Sequence, residues 1–176
     1  MTDDDLELRV AWQRHFGRST EASRWLDTVL GHHRGSGRHY HDVRHVRWVV
    51  RHATDLAEFT DDLTAVIAAA FFHDAVYDAT RSDNEAASAR LADRALSDLG
   101  WPADRRRHVV AMIDATADHV VALADRDTQV LLAADLAVLA TDPARYSDEG
   151  RAVRREYAHV YEADWRAGRS AVLRGL

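Results

Sequence analysis

Eight consecutive apolar residues, 65–72, run directly into a His73-Asp74 pair. With Leu63 ahead of it the stretch is apolar on most sides, so as a helix it has no solvent face and must be central. It falls far short of the ~20 residues that span a bilayer. It is therefore expected to be a core helix, with the rest of the chain wrapped around it. The flanking sequence suits that role. Apolar residues recur with helical spacing nearly throughout, and no convincing alternating strand occurs. Only 2 prolines and 8 glycines punctuate the 176 residues, so helices are rarely interrupted. The expected fold class is all-α: one helical-bundle domain over 1–176, with its core at about 40–140 and packing helices over 141–176.

Local signals set the expected elements. A first short helix turns Leu6, Val10 and Phe16 inward. Ser19 or Thr20 caps a second, with Trp25, Leu26, Val29 and Leu30 inward. Gly31, Gly35 and Gly37 break it and leave an Arg/His/Gly-rich loop over 32–39. A third helix runs from near Tyr40 to about Phe59, and Thr60 caps the central fourth. Ser82 and Glu85 have capping-box spacing and open a fifth that ends near Gly100. Pro102 opens a sixth over 103–117, a seventh covers 128–140, and Asp142-Pro143 starts one or two more. Val153, Tyr157, Val160, Tyr161 and Trp165 form a C-terminal apolar stripe read as domain packing.

Composition removes several kinds of chemistry. There is no cysteine, which excludes disulfides, zinc-thiolate sites and cysteine nucleophiles. All 23 basic residues are arginine, so Schiff-base and Walker-type lysines are excluded. A net charge of -6 argues against general nucleic-acid binding. The segment Met1-Thr2-Asp3-Asp4-Asp5 is acidic and lacks an apolar stretch, so a cytoplasmic rather than secreted or membrane protein is expected.

The informative residues are polar groups where burial is expected. An aspartate beside an imidazole at the end of a core helix is costly unless paired or bound to a cation; a plain His–Asp hydrogen bond or helix cap is the structural alternative. His41 and His45 are four residues apart and share a helix face, which suits two groups serving one site, although one solvated and one buried histidine fits the spacing equally. Asp135 is the only charge in residues 131–139, hence either at a wet seam or a ligand. Together His45, His73, Asp74 and Asp135 supply two imidazoles and two carboxylates. That set suits a divalent ion such as Mn, Fe, Co, Ni, Zn or Mg.

The order His45, His73-Asp74, Asp135, with Phe71-Phe72 ahead of the pair, resembles the HD superfamily of metal-dependent phosphohydrolases. The similarity runs from about Tyr40 to Ala140 and is nearest to a small branch of predicted HD phosphohydrolases. There the features are Tyr40-His41 with His45, residues 73–78, Asn84-Glu85, Ser88, Thr116 with His119, and Asp135-Leu136. The resemblance implies an HD-type bundle whose ligands to one divalent ion are His45, His73, Asp74 and Asp135. Residues 40–45 are also similar to a segment of cyclic-nucleotide phosphodiesterases, which implies that His41 is a general acid; Asp42 stands where that segment has Asn. Those enzymes place a further histidine three residues after the His-Asp pair, where this chain has Tyr77.

The implied substrate is a small phosphorylated molecule such as a nucleotide. Asp78 or Glu85 is expected to orient the attacking water, unless Asp78 caps a turn and Glu85 completes its capping box. Thr116, His119 and Arg44 are the candidate substrate-binding residues, with Arg38 and Arg47 as further phosphate forks. Two alternatives stand beside hydrolysis: a non-catalytic HD-fold module that binds a ligand or partner, and an HD-type iron oxygenase.

Overall fold

A computed structural model describes residues 2–175; Met1 and Leu176, the ends of the expected domain, lie outside them. Among the described residues there are nine α-helices and no strand. They are α1 (Asp3–Phe16), α2 (Thr20–His33), α3 (Val43–Asp55), α4 (Leu63–Phe72), α5 (Asn84–Asp98), α6 (Ala103–Asp114), α7 (Arg126–Leu136), α8 (Pro143–Glu156) and α9 (Glu162–Gly175). Short 3-10 turns extend α3, α6 and α7 at Ala57–Phe59, Ala115–Ala117 and Ala137–Ala140. No described helix is long and apolar enough to cross a membrane.

α4 is the axis of the bundle. Every residue from Ala65 to Phe72 is fully buried, and α3, α5, α6 and α7 pack around it. Four alanines in the run let those neighbours approach closely, while Phe71 and Phe72 fill the space at its C-terminal end. α1 closes that end: the Trp12 ring lies 5.0 Å from Phe71 and 4.2 Å from Phe16, centroid to centroid.

Several local expectations are corrected. α1 buries Leu8 and Trp12, whereas Leu6 and Val10 are 50% and 59% exposed. The large indole chooses the buried face, and the 8-12-16 row follows it. Gly31 does not break α2, which runs on to His33; one helical glycine costs only about 1 kcal/mol relative to alanine. The turn is made instead at Gly37, whose φ is 90°. α3 starts at Val43, not Tyr40, because the Asp42 carboxylate accepts from the Arg44 amide and caps it. Asp62 rather than Thr60 caps α4, accepting from the Ala65 amide and pairing with Arg105 at 2.6 Å. The Ser82–Glu85 capping box does not form; α5 begins at Asn84, and its N-cap Asp83 makes no side-chain bond to it. Asp142 caps α8 with Pro143 in the first turn, as expected.

Candidate metal centre and its cavity

Three helices bring the apolar-flanked polar residues together. His45 is one turn inside α3, His73 caps the C-terminus of α4 with Asp74 after it, and Asp135 lies near the end of α7. His45 Nε2 is 3.1 Å from His73 Nε2, 3.2 Å from Asp135 Oδ1 and 3.3 Å from Asp74 Oδ2. His73 Nε2 is 3.0 Å from Asp74 Oδ2 and 3.7 Å from Asp135 Oδ1. Ligand atoms held ~2.1 Å from one ion are ~3.0 Å apart at right angles and ~3.4 Å apart at the tetrahedral angle. His45, His73 and Asp135 form a buried cluster that could hold a metal ion. Asp74 Oδ2 touches both imidazoles of that cluster.

The electrostatics agree with this chemistry. Burial alone would lower the pKa of His45, but hydrogen bonds to Asp135 and Asp74 outweigh it and raise the pKa to about 9. Burial would also lower His73; the Asp74 charge and bonds to both carboxylates hold it well above the usual imidazole range. Burial would raise Asp74 and Asp135, yet the imidazoles keep both well below the carboxylate range. Two carboxylates this close to two buried imidazoles form a cluster of the kind a dication would neutralise. The His73 tautomer also fits. Its Nδ1 lies 3.0 Å from the Ala70 carbonyl, to which it donates, so neutral His73 presents a lone pair at Nε2.

His41 is not on α3 and so does not share a helix face with His45. It precedes the Asp42 cap, and the loop, not the helix, brings it to the site, with its ring 5.6 Å from that of His45. Glu156, the last residue of α8, holds that loop. One oxygen accepts the amides of His39, Tyr40 and His41 at 2.7, 2.7 and 3.0 Å. The other accepts from His41 Nδ1 at 2.6 Å and from the Tyr77 hydroxyl at 3.0 Å. The Glu156 side chain is only 1% exposed. Burial would raise its pKa, but the bond to His41 and these amides bring it down to about 2.

Sequence reasoning missed Glu156, which stands in the charged run 154–156 and resembles a surface acid. It also missed His33 and the true role of Arg38. The Arg38 guanidinium donates to the carbonyls of His41, Asp74 and Ala75 at 2.7, 2.7 and 2.9 Å and lies 3.3 Å from His33 Nδ1. It is a clamp between the His41 loop and the His73-Asp74 turn, not a phosphate fork.

Asn84 and Ser88 pin the segment after Asp74. The Asn84 amide bonds both the N–H and the C=O of Asp78, and the Ser88 hydroxyl does the same for Val76. Asp78 itself faces solvent, where its carboxylate accepts from the amide and hydroxyl of Thr80. It caps a turn and is not placed at the site. Glu85, freed of the capping box, lines the cavity with His73 and Asp74. His119 and Thr116 line it too, although the sixth helix, expected to reach 117, ends at Asp114. His119 has φ 57° and brings Nε2 to 3.3 Å from Asp135 Oδ2. The Thr116 hydroxyl donates to the Ile113 carbonyl, a helix-end contact. Arg44 is corrected: its side chain is 66% exposed, pairs with Asp42 and lies outside this cavity. Arg47 pairs with Asp4 and Glu7. His108 pairs with buried Asp127, away from the cluster.

The cavity over the cluster encloses about 500 Å³. Its floor is His73, Asp74 and Asp135, and α8, α9 and the 137–140 turn contribute walls. The expected C-terminal stripe therefore divides: Val153, Tyr157, Val160 and Trp165 line the cavity, while Tyr161 is 83% exposed. Compared with protein-family models, with curated proteins and with solved structures, the chain matches none.

Proposed function

We propose that the chain is a metal-dependent phosphohydrolase of the HD superfamily, active in the cytoplasm on a phosphate ester or anhydride of a small molecule such as a nucleotide. The observation that carries this reading is the convergence of His45, His73, Asp74 and Asp135 within 3.0–3.7 Å contacts, with the last three on the floor of a cavity. The N/O donor set and the absence of thiols favour one Mn, Fe, Co, Ni, Zn or Mg ion per chain, held by those four residues. When bound, such an ion supplies Lewis acidity to phosphoryl oxygens and lowers the pKa of water toward ~7.

The protein residues supply the proton and the positioning. Glu156 fixes His41 Nδ1, which leaves Nε2 to donate a proton to the departing oxygen. Glu85, on the cavity wall, orients the attacking water. His119 steadies Asp135 through its second oxygen. The oxygenase alternative is less well served, because it needs extra histidines between the His-Asp pair and Asp135, and of the two there, His108 and His119, the first is engaged by Asp127. A non-catalytic module has no use for two buried imidazoles facing two carboxylates. The test is a phosphatase panel on protein loaded with each ion, run beside Asp74→Ala. Phosphate release that disappears, together with bound metal, in a variant of unchanged helical content supports the reading. Oxygen uptake with two bound irons, or no release with any ion, overturns it.

A further inference from the structure

We propose, on the phosphohydrolase reading just given, that the cavity selects a phosphate monoester whose organic body is apolar or aromatic, and that Gly150 and Gly168 keep open the space this body occupies. The cavity lining is chemically mixed. Beside the imidazole–carboxylate floor, Val138, Leu139, Val153, Val160, Trp165 and the half-exposed Val172 make much of the lining apolar. Burying an apolar group against that lining is favourable, and a bare sugar phosphate has little to place there.

Charge sets the number of phosphoryl groups. Arg169 is the one guanidinium among the described lining residues, whereas Glu85, Glu149 and Asp164 add three carboxylates beyond those of the floor. Glu149 is partly matched by Arg145 at 3.9 Å. One guanidinium serves one phosphoryl group. A triphosphate brings two more into an acidic enclosure, with nothing to pair them.

The glycines carry the inference to named positions. Gly150 lies inside α8 and Gly168 inside α9, where glycine is the least favourable residue after proline. Neither is among the residues with positive φ. A Cβ built on either meets nothing within 4 Å, so no close packing requires its absence. Of the described glycines these two line the cavity, Gly150 half-buried and Gly168 exposed at its rim. On α9, Trp165, Gly168, Arg169 and Val172 recur at helical spacing on one face, which puts the gap between an indole and the guanidinium.

Calorimetry on the full chain, with and without Mn, tests this with three probes: methylphosphonate, naphthylmethylphosphonate and a non-hydrolysable ATP analogue. The naphthyl compound is expected to bind about tenfold more tightly than methylphosphonate and more tightly than the ATP analogue. Gly168→Leu and Gly150→Leu are each expected to lower the naphthyl-to-methyl affinity ratio about tenfold with no fall in thermal midpoint. Should a leucine variant misfold, Gly168→Ala, which favours the helix, lowers the ratio in the same direction by less. Tightest binding of the ATP analogue, or an unchanged ratio in folded variants, overturns the proposal. Selective naphthyl binding without phosphate release from naphthyl phosphate sinks hydrolysis and leaves the ligand class standing. Phosphate release without that selectivity does the reverse.

Discussion

Glu156 links the C-terminal helix pair to the chemistry through a single carboxylate. Glu156→Gln keeps an acceptor for the three amides but loses the charge that faces His41. The expected result is a fall in kcat of about 10- to 100-fold with metal content unchanged; steady-state kinetics beside elemental analysis checks both halves. His119 makes the opposite kind of case. A non-glycine residue at φ 57° is strained. His119→Gly should leave the thermal midpoint level or raise it, while metal affinity drops about tenfold through loss of the partner to Asp135. A variant that melts earlier would show that the imidazole supports the fold. His73, Asp74 and Asp135 were legible as polar residues in or at the end of apolar runs, whereas His45 was read from a spacing with His41 that turned out not to be a shared helix face. Glu156 was not legible, because its partners lie 79 to 117 residues away and it follows two arginines, as a surface acid does.

Among elements, α4 does the most to hold the architecture and aim the site. Phe72 is fully buried one residue before His73. Phe72→Ala is expected to cost about 3–5 kcal/mol, read from urea melts, and to weaken metal binding because the imidazole loses its support. Leu6→Ala on α1, at a half-exposed position, should stay within about 0.5 kcal/mol; a large loss there would contradict the observed face of that helix. The existence and order of the helices were readable from periodicity and from punctuation such as Asp142-Pro143. Their starts were less so. Asp42 moves the start of α3 from Tyr40 to Val43, and Asp62 displaces Thr60 as the cap of α4 with Arg105 as its tertiary partner. The placement of His41 in a loop follows from the Asp42 cap.

For the whole molecule, acid should be the weak direction. Burial and the Arg38 charge lower buried His33 to a pKa of about 3, against its bond to the Phe71 carbonyl. Glu156 is brought from 4.5 to about 2. In both cases the folded state binds fewer protons than the unfolded chain, so stability declines as pH falls. His33 contributes between its ordinary 6.5 and about 3, and Glu156 between 4.5 and about 2. Urea midpoints across that range should fall steadily, and Glu156→Gln should flatten the limb below pH 4.5; an unchanged limb would count against the linkage. The bundle class was legible from composition and pattern alone, but the use of residues 141–175 was not. A stripe of valines and aromatics reads the same whether it closes on a core or on an enclosed space. The C-terminal fifth of the chain is therefore no detachable ornament. A shortened protein ending at Ala140 would keep all four cation-facing side chains yet lose the carboxylate that seats three successive amides. It should sequester metal and turn over nothing.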